Sequence, residues 1–87
     1  GLTLTLEARE HVWVRLTVDD QIIVENTVAP GWNGTWSAEE AITVETGNGA
    51  ALQVTVNGQL QGFLCGRGEV CTQTWGPGGL LQSSGNN

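Results

Sequence analysis

Alternation of apolar and polar residues with a period of two is the feature that most constrains how this chain can fold. In residues 2–7 three leucines alternate with two threonines and a glutamate. Residues 12–18, 42–45 and 52–56 follow the same pattern. A period of two matches a half-buried β-strand, because successive side chains of a strand point to opposite faces of its sheet. The sequence therefore predicts strands with one face in a core, and it contains no convincing helix.

Turn signals separate these runs. Asn57-Gly58 is the strongest hairpin signal, because a type I′ turn needs positive φ at both central residues. The acidic pair Asp19-Asp20 lies between two β-rich runs and also predicts a tight hairpin turn, since Asp tolerates a left-handed backbone. About seven short, mostly antiparallel strands at spacings of about 8–12 residues indicate an all-β fold. We predict a small β-sandwich, with a small barrel as the alternative.

The length of 87 residues corresponds to one small domain. We assign the β-domain to residues 1–75. Residues 76–87 are rich in Gly, Ser and Asn and have no periodicity, so we predict a flexible tail there. The sequence contains no methionine, so we expect a domain excised from a longer protein. No apolar run reaches the length that a membrane span requires.

The charge balance excludes several functions. Nine acidic residues stand against three arginines and no lysine, which gives a formal net charge of −6. Binding of nucleic acid or anionic lipid by this domain is disfavoured, because both need clustered cations. We interpret the pairs Asp19-Asp20 and Glu39-Glu40 as solvated turn residues rather than calcium ligands or glycosidase carboxylates. His11 has no serine and acid partners in a recognisable motif, so we predict no catalytic residue, metal or cofactor.

Cys65 and Cys71 enclose a five-residue segment. Two thiolates do not complete a four-ligand zinc site, and the spacing differs from the Cys-x-x-Cys redox motif. They are either a disulfide, which we favour, or two free, small apolar residues. A disulfide would close a seven-residue loop, which stabilises by about 2.4 kcal/mol on the chain-entropy model. It would also imply an oxidising compartment.

The four tryptophans are the candidate binding residues. Trp32 lies in a loop with glycine and asparagine neighbours, and we predict an exposed aromatic platform there. Trp13 and Arg15 lie on the polar side of their strand and form a second predicted patch. Trp36 is a further candidate, with core filling as its alternative role. Exposed aromatic rings serve protein contact or, as the alternative, sugar stacking, for which Trp32, Trp36 or Trp75 would be the platforms.

The order of several short motifs resembles a known family. In chain order the motifs are LTLEA (4–8), VWVRLTVDD (12–20), VAPG (28–31), WSA (36–38), ITVETGNGAA (42–51), VNG (56–58) and LCGRGEV (64–70). Together they cover residues 2 to about 75 and resemble the C-terminal extracytoplasmic domain of RodZ-like bacterial proteins.

The resemblance implies a setting for the domain. Full-length members of the family combine a cytoplasmic helix-turn-helix domain, one membrane helix, a polar linker and this β-domain on the outer, periplasmic or extracellular, side. In rod-shaped bacteria the cytoplasmic part binds the actin-like protein MreB and helps to maintain cell shape. No catalytic residues are known for the β-domain. The resemblance therefore implies a non-enzymatic domain for protein interaction, with the wall-synthesis machinery as the expected partner.

Overall fold

The computed structural model describes residues 1–85, which form nine β-strands and one short 3-10 turn. The strands are β1 (Leu2–Ala8), β2 (Val12–Val18), β3 (Gln21–Val28), β4 (Asn33–Ala38), β5 (Ile42–Thr46), β6 (Leu52–Val56), β7 (Gln59–Phe63), β8 (Cys71–Gly76) and β9 (Gly79–Gly85). Over the described residues no helix has the length and apolar character needed to cross a membrane.

The strands form two antiparallel sheets whose inner faces share one core. The four-stranded sheet has the order β4-β1-β6-β7, and the five-stranded sheet has the order β3-β2-β5-β8-β9. This arrangement is a β-sandwich and confirms the all-β prediction. Each strand runs antiparallel to its neighbours, so the β1–β2 link, the β3–β4 link and the β7–β8 loop meet at one end of the sandwich. The tight turns after β2, β6 and β8 meet at the other end.

The predicted alternation directly determines which side chains enter the core. Every second residue of β1 is buried, β5 and β6 follow the same rule, and β2 follows it as far as Leu16. Leu4, Leu6 and Leu16 are fully buried between the sheets. Complete burial of such a side chain stabilises the fold by about 1.5–3 kcal/mol. The intervening residues consequently point outward, among them Trp13 and Arg15 on β2.

The structure contains two strands, β7 and β9, that the sequence pattern did not predict. Both lie at the open edge of their sheet. The pairing of β7 with β6 is interrupted by a register shift, and so is the pairing of β9 with β8. An extra residue in a strand reverses the phase of a period-two pattern. The alternation is therefore lost in these two strands.

The predicted flexible tail at residues 76–87 is also not what the structure shows. Gly79–Gly85 is paired with β8 as the last strand of the five-stranded sheet, so the domain extends well past residue 75. The two residues after Gly85 lie outside the described part of the chain. Backbone pairing to β8 forms this strand, although its side chains show no apolar alternation.

Both predicted hairpin turns are confirmed. Asp19 and Asp20 have φ of +47° and +69°, and Asn57 and Gly58 have φ of +51° and +81°. Positive φ at two successive residues matches the right-handed twist of the strands that they join.

Asp19 also joins two neighbouring loops, which the interpretation as a solvated turn residue missed. Its carboxylate accepts hydrogen bonds from the backbone N–H groups of Glu39, Glu40 and Ala41 at 2.8–3.0 Å. These three donors, Glu39 foremost, lower the pKa of Asp19 from its usual value. The link between β2 and β3 is thereby fastened to the loop between β4 and β5.

Cys65 and Cys71 form a disulfide, which selects the first of the two alternatives. The bridge connects the segment after β7 to the first residue of β8, and these strands belong to different sheets. The Cys65 backbone and sulfur lie against Gly49, where an added Cβ would collide with them. Position 49 therefore requires glycine, because any side chain there would prevent the 3-10 turn from approaching the disulfide this closely.

Reduction of the disulfide should destabilise the domain. We expect the free energy of unfolding to fall by about 2.4 kcal/mol, because the reduced unfolded chain regains the entropy of a seven-residue loop. Urea denaturation with and without a thiol reductant measures the change. The variant with Cys65→Ala and Cys71→Ala is the control and should not respond to the reductant. Equal midpoints for the oxidised and reduced wild type would contradict the prediction.

Asp19 should make the stability of the domain depend on pH. Its folded-state pKa lies below the unfolded value of about 3.9, so its contribution is complete above that pH and is lost as the pH falls through the folded-state pKa. The free energy of unfolding of Asp19→Asn should therefore fall less between neutral and acid pH than that of the wild type. Denaturant titrations at a series of pH values test this.

The control for that experiment is Asp20→Asn, because the Asp20 side chain is exposed and has no hydrogen bond within residues 1–85. It should follow the wild-type pH profile. If the stability of Asp19→Asn varied with pH as that of the wild type and of Asp20→Asn does, the three backbone hydrogen bonds would not favour the ionised carboxylate.

Candidate functional site

A charged cluster on the outer face of the five-stranded sheet is centred on Arg15. In the strand register Arg15 lies directly opposite Glu25 of β3 on one side and Glu45 of β5 on the other. Its Nε donates to Glu25 Oε2 at 2.8 Å, and its Nη1 donates to Glu45 Oε1 at 3.0 Å. Two carboxylates therefore hold one guanidinium from both sides, which fixes its plane on the sheet surface.

Trp13 extends this cluster along β2. The Arg15 Cζ lies 5.4 Å from the centroid of the Trp13 ring, within the range of a cation–π interaction. The Trp13 side chain is 36% exposed, and Trp13 lies opposite Thr27 of β3. We call Trp13, Arg15, Glu25 and Glu45 the β2 patch. The structure thus brings together two of the predicted binding residues, Trp13 and Arg15.

The charges of the β2 patch are mutually stabilising. The hydrogen bond to Glu25 and the attraction of Glu45 raise the pKa of Arg15, so its positive charge is permanent. With two carboxylates and one guanidinium the patch carries one net negative charge. Such exposed ion pairs contribute little to folding stability. Their main effect is to hold Arg15 and Trp13 in one arrangement before any contact is made.

Trp32 and Trp36 form a separate pair at the β3–β4 side of the sandwich. Their ring centroids are 5.7 Å apart with the planes inclined by 33°. Both rings are half-buried and pack against the core. Trp36 lies opposite the buried Leu4 in the register, so its ring points inward. Trp32 is thus less exposed than the sequence suggested, because Trp36 and the core cover one side of its ring.

Local backbone bonds explain why the loop of Trp32 does not stand free. The Trp32 carbonyl accepts from the Ala8 N–H at 2.8 Å, and the Trp32 N–H donates to the Ala29 carbonyl at 3.0 Å. Gly34 leaves room for the neighbouring ring, since an added Cβ there would lie 2.6 Å from the Trp36 ring. Gly34, a glycine neighbour of Trp32, therefore makes room for the Trp36 ring that covers Trp32.

Trp75 is 4% exposed and belongs to the core. It therefore offers no exposed face for stacking against a sugar, contrary to the alternative role predicted for it from the sequence. Within residues 1–85 no group of three or more His, Cys, Asp or Glu side chains converges on a possible metal position. The exposed His11 lies in the short link between β1 and β2.

A groove at the opposite side of the sandwich was missed by the sequence reasoning. It runs between β7 and the β8–β9 turn, has a volume of about 320 Å³, and is lined in part by Gln59, Gln61, Trp75 and Leu80. A signal for it is present in the sequence, because residues 52–66 and 70–87 contain no charged side chain. That signal could not be assigned to a surface while β7 and β9 were unrecognised.

The fold and its surface define a small antiparallel β-sandwich domain with an ordered aromatic and charged patch on one sheet. The family model described as RodZ C-terminal domain matches residues 5–74, and the chain belongs to this family. Neither the curated proteins nor the solved structures contain a significant match to the chain.

Gly34→Ala should disturb the tryptophan pair. The new methyl group would displace the Trp36 ring, and overpacking of this kind costs about 1–3 kcal/mol of folding stability. Denaturant unfolding measures that loss, and a red shift of the tryptophan emission reports greater exposure of the ring. Gly47→Ala is the matched control, because no atom lies within 4 Å of its added Cβ. Equal stability of the two variants would contradict this role for Gly34.

Proposed function

We propose that this chain is the non-catalytic, extracytoplasmic protein-interaction domain of a RodZ-like single-pass membrane protein. In this role it links the MreB cytoskeleton inside the cell to cell-wall synthesis outside, and so contributes to cell shape. Membership of the RodZ C-terminal domain family supports this setting. The partner we propose is a protein of the wall-synthesis machinery.

The observation that carries the proposal is the β2 patch. Its aromatic ring and guanidinium lie side by side on a sheet, where the strand backbone itself is rigid. Tryptophan and arginine are among the residues enriched at the energetic centres of protein interfaces. Because Glu25 and Glu45 already hold Arg15, little side-chain entropy remains to be lost when a partner binds.

Two features of the described residues favour binding over catalysis. The Arg15 cation is neutralised by its two carboxylate partners, so these groups are engaged in an ion-pair network. A general acid or base needs a cleft and a perturbed titratable group within reach of a substrate. The β2 patch instead lies on an open sheet face, which suits contact with a large, complementary protein surface.

The proposed tryptophan platforms support the sugar-binding alternative less well than the β2 patch supports protein contact. Trp75 is buried, and Trp32 and Trp36 face one another and the core. Stacking against a sugar requires a ring face open to solvent. Trp13 is the most exposed of the four rings, but the Arg15 guanidinium lies over it.

The test is a titration of this chain with purified extracytoplasmic domains of wall-synthesis enzymes, in which isothermal titration calorimetry measures the dissociation constant. We expect Trp13→Ala and Arg15→Ala each to raise the dissociation constant about tenfold or more, as interface hot spots do. Denaturant unfolding of both variants should show that they remain folded, because the two side chains lie outside the core.

The matched control is Thr72→Ala, which alters the same sheet face in register with Glu45. It should bind like the wild type. Unchanged affinity of Trp13→Ala and Arg15→Ala would show that the β2 patch is not the contact surface. Absence of binding to every wall-synthesis domain would overturn the proposed partner.

A further inference from the structure

Charge is distributed very unevenly between the two sides of the sandwich. The strands β6, β7, β8 and β9 contain no charged residue. In the five-stranded sheet the charged residue closest to the β9 edge is Glu45 on β5, two strands away. At about 4.8 Å per strand, that distance is about 10 Å, which is about one Debye length at physiological ionic strength.

The edge formed by β9 has the features of a strand that accepts a neighbour. Among the described strands it pairs with β8 alone, so one side of its backbone ladder is unpaired. An edge strand normally avoids association through a lysine, a proline or another charge. Residues 79–85 contain none of these. The strand also spans seven residues, longer than the average strand.

Four of the eight exposed large apolar side chains in the described part of the chain lie along this side. Leu80 and Leu81 of β9 are 56% and 64% exposed, and Leu60 and Phe63 of β7 are 63% and 53% exposed. The groove between the two edges adds an uncharged, concave surface beside Leu80. The surface therefore suits an uncharged extended strand with small or apolar side chains.

We infer that this strand is β9 of a second copy of the chain. The two β9 strands pair antiparallel about a twofold axis at Gln82, the middle residue of β9, and join the two five-stranded sheets into one. Symmetric pairing uses the same surface twice, so the edge must complement itself, and an uncharged strand does.

Electrostatics favours pairing through β9 over other ways in which two copies of the chain could associate. Each copy carries a formal charge of −6, so most contacts between copies bring like charges together. Pairing through β9 leaves two uncharged strands per copy between the nearest charged strands of that sheet. These strands are then about 24 Å apart, well beyond the Debye length. The β2 patch stays accessible, so this inference is independent of the proposed function.

The experiment is sedimentation equilibrium of the purified chain over a wide concentration series. We expect the mass to rise from that of one chain to that of two. Gln82→Lys should weaken dimerisation at least tenfold, because it places two like charges opposite each other at the axis. The same substitution reduces the net negative charge of the chain, so a weaker dimer could not result from greater overall repulsion.

The matched control is Asn26→Lys, which makes the same charge change on the exposed β3 edge at the far side of the sheet. It should dimerise like the wild type. A second measurement tests the register: Gln82→Cys should form a covalent dimer on oxidation, and Asn26→Cys should not.

Three results would overturn the inference. They are a chain that stays monomeric at every concentration, equal dimerisation of Gln82→Lys and Asn26→Lys, and no covalent dimer of Gln82→Cys. Binding of an uncharged extended peptide by a chain that is itself monomeric would identify another occupant. None of these outcomes depends on whether the β2 patch binds a wall-synthesis protein.

Discussion

The inward-facing leucines of β1 are the constraint on which the rest of this structure depends. β1 lies between β4 and β6, so its register places the side chains of three strands at once. A shift by one residue would send Leu2, Leu4 and Leu6 to solvent and their threonine neighbours into the core. The cost of that exchange fixes the faces of both sheets, because the inner faces must fill one shared core. The outward position of Trp13 and Arg15 follows from the same alternation on β2.

The sequence predicted the strands that have one buried face. It did not predict the features for which the alternation of apolar and polar residues carries no information. The alternation in β1, β2, β5 and β6 predicted their buried faces, because each has one solvent face and one core face. It also predicted that Trp13 and Arg15 share a surface. The approach of Glu25 to Arg15 depends on the register shift within the β2–β3 hairpin, and that of Glu45 depends on the pairing of β2 with β5. No local pattern encodes either of them. The same holds for the cover over Trp32 and for the three backbone donors around Asp19.

The two surfaces of this domain differ in the physical forces that they offer. The β2 patch combines an aromatic ring with fixed charges, so contacts made through it would be directional and would depend on ionic strength. The side formed by β7 and β9 carries no charge, so its contacts would come from backbone pairing and apolar burial. Both surfaces belong to the same two-sheet sandwich. Because they lie at separate parts of the sandwich, each can be altered without the other.

The disulfide gives the domain an uneven response to mechanical force. A pull on the C-terminal end would peel β9 and then β8 away from β5, one hydrogen-bonded pair after another. At Cys71 the bridge would transfer the tension to Cys65, so residues 66–70 would be bypassed and could not extend. The force would then act on β7, an edge strand of the other sheet. Rupture of the second sheet is thus a separate mechanical event, and less chain is released than the sequence length would suggest.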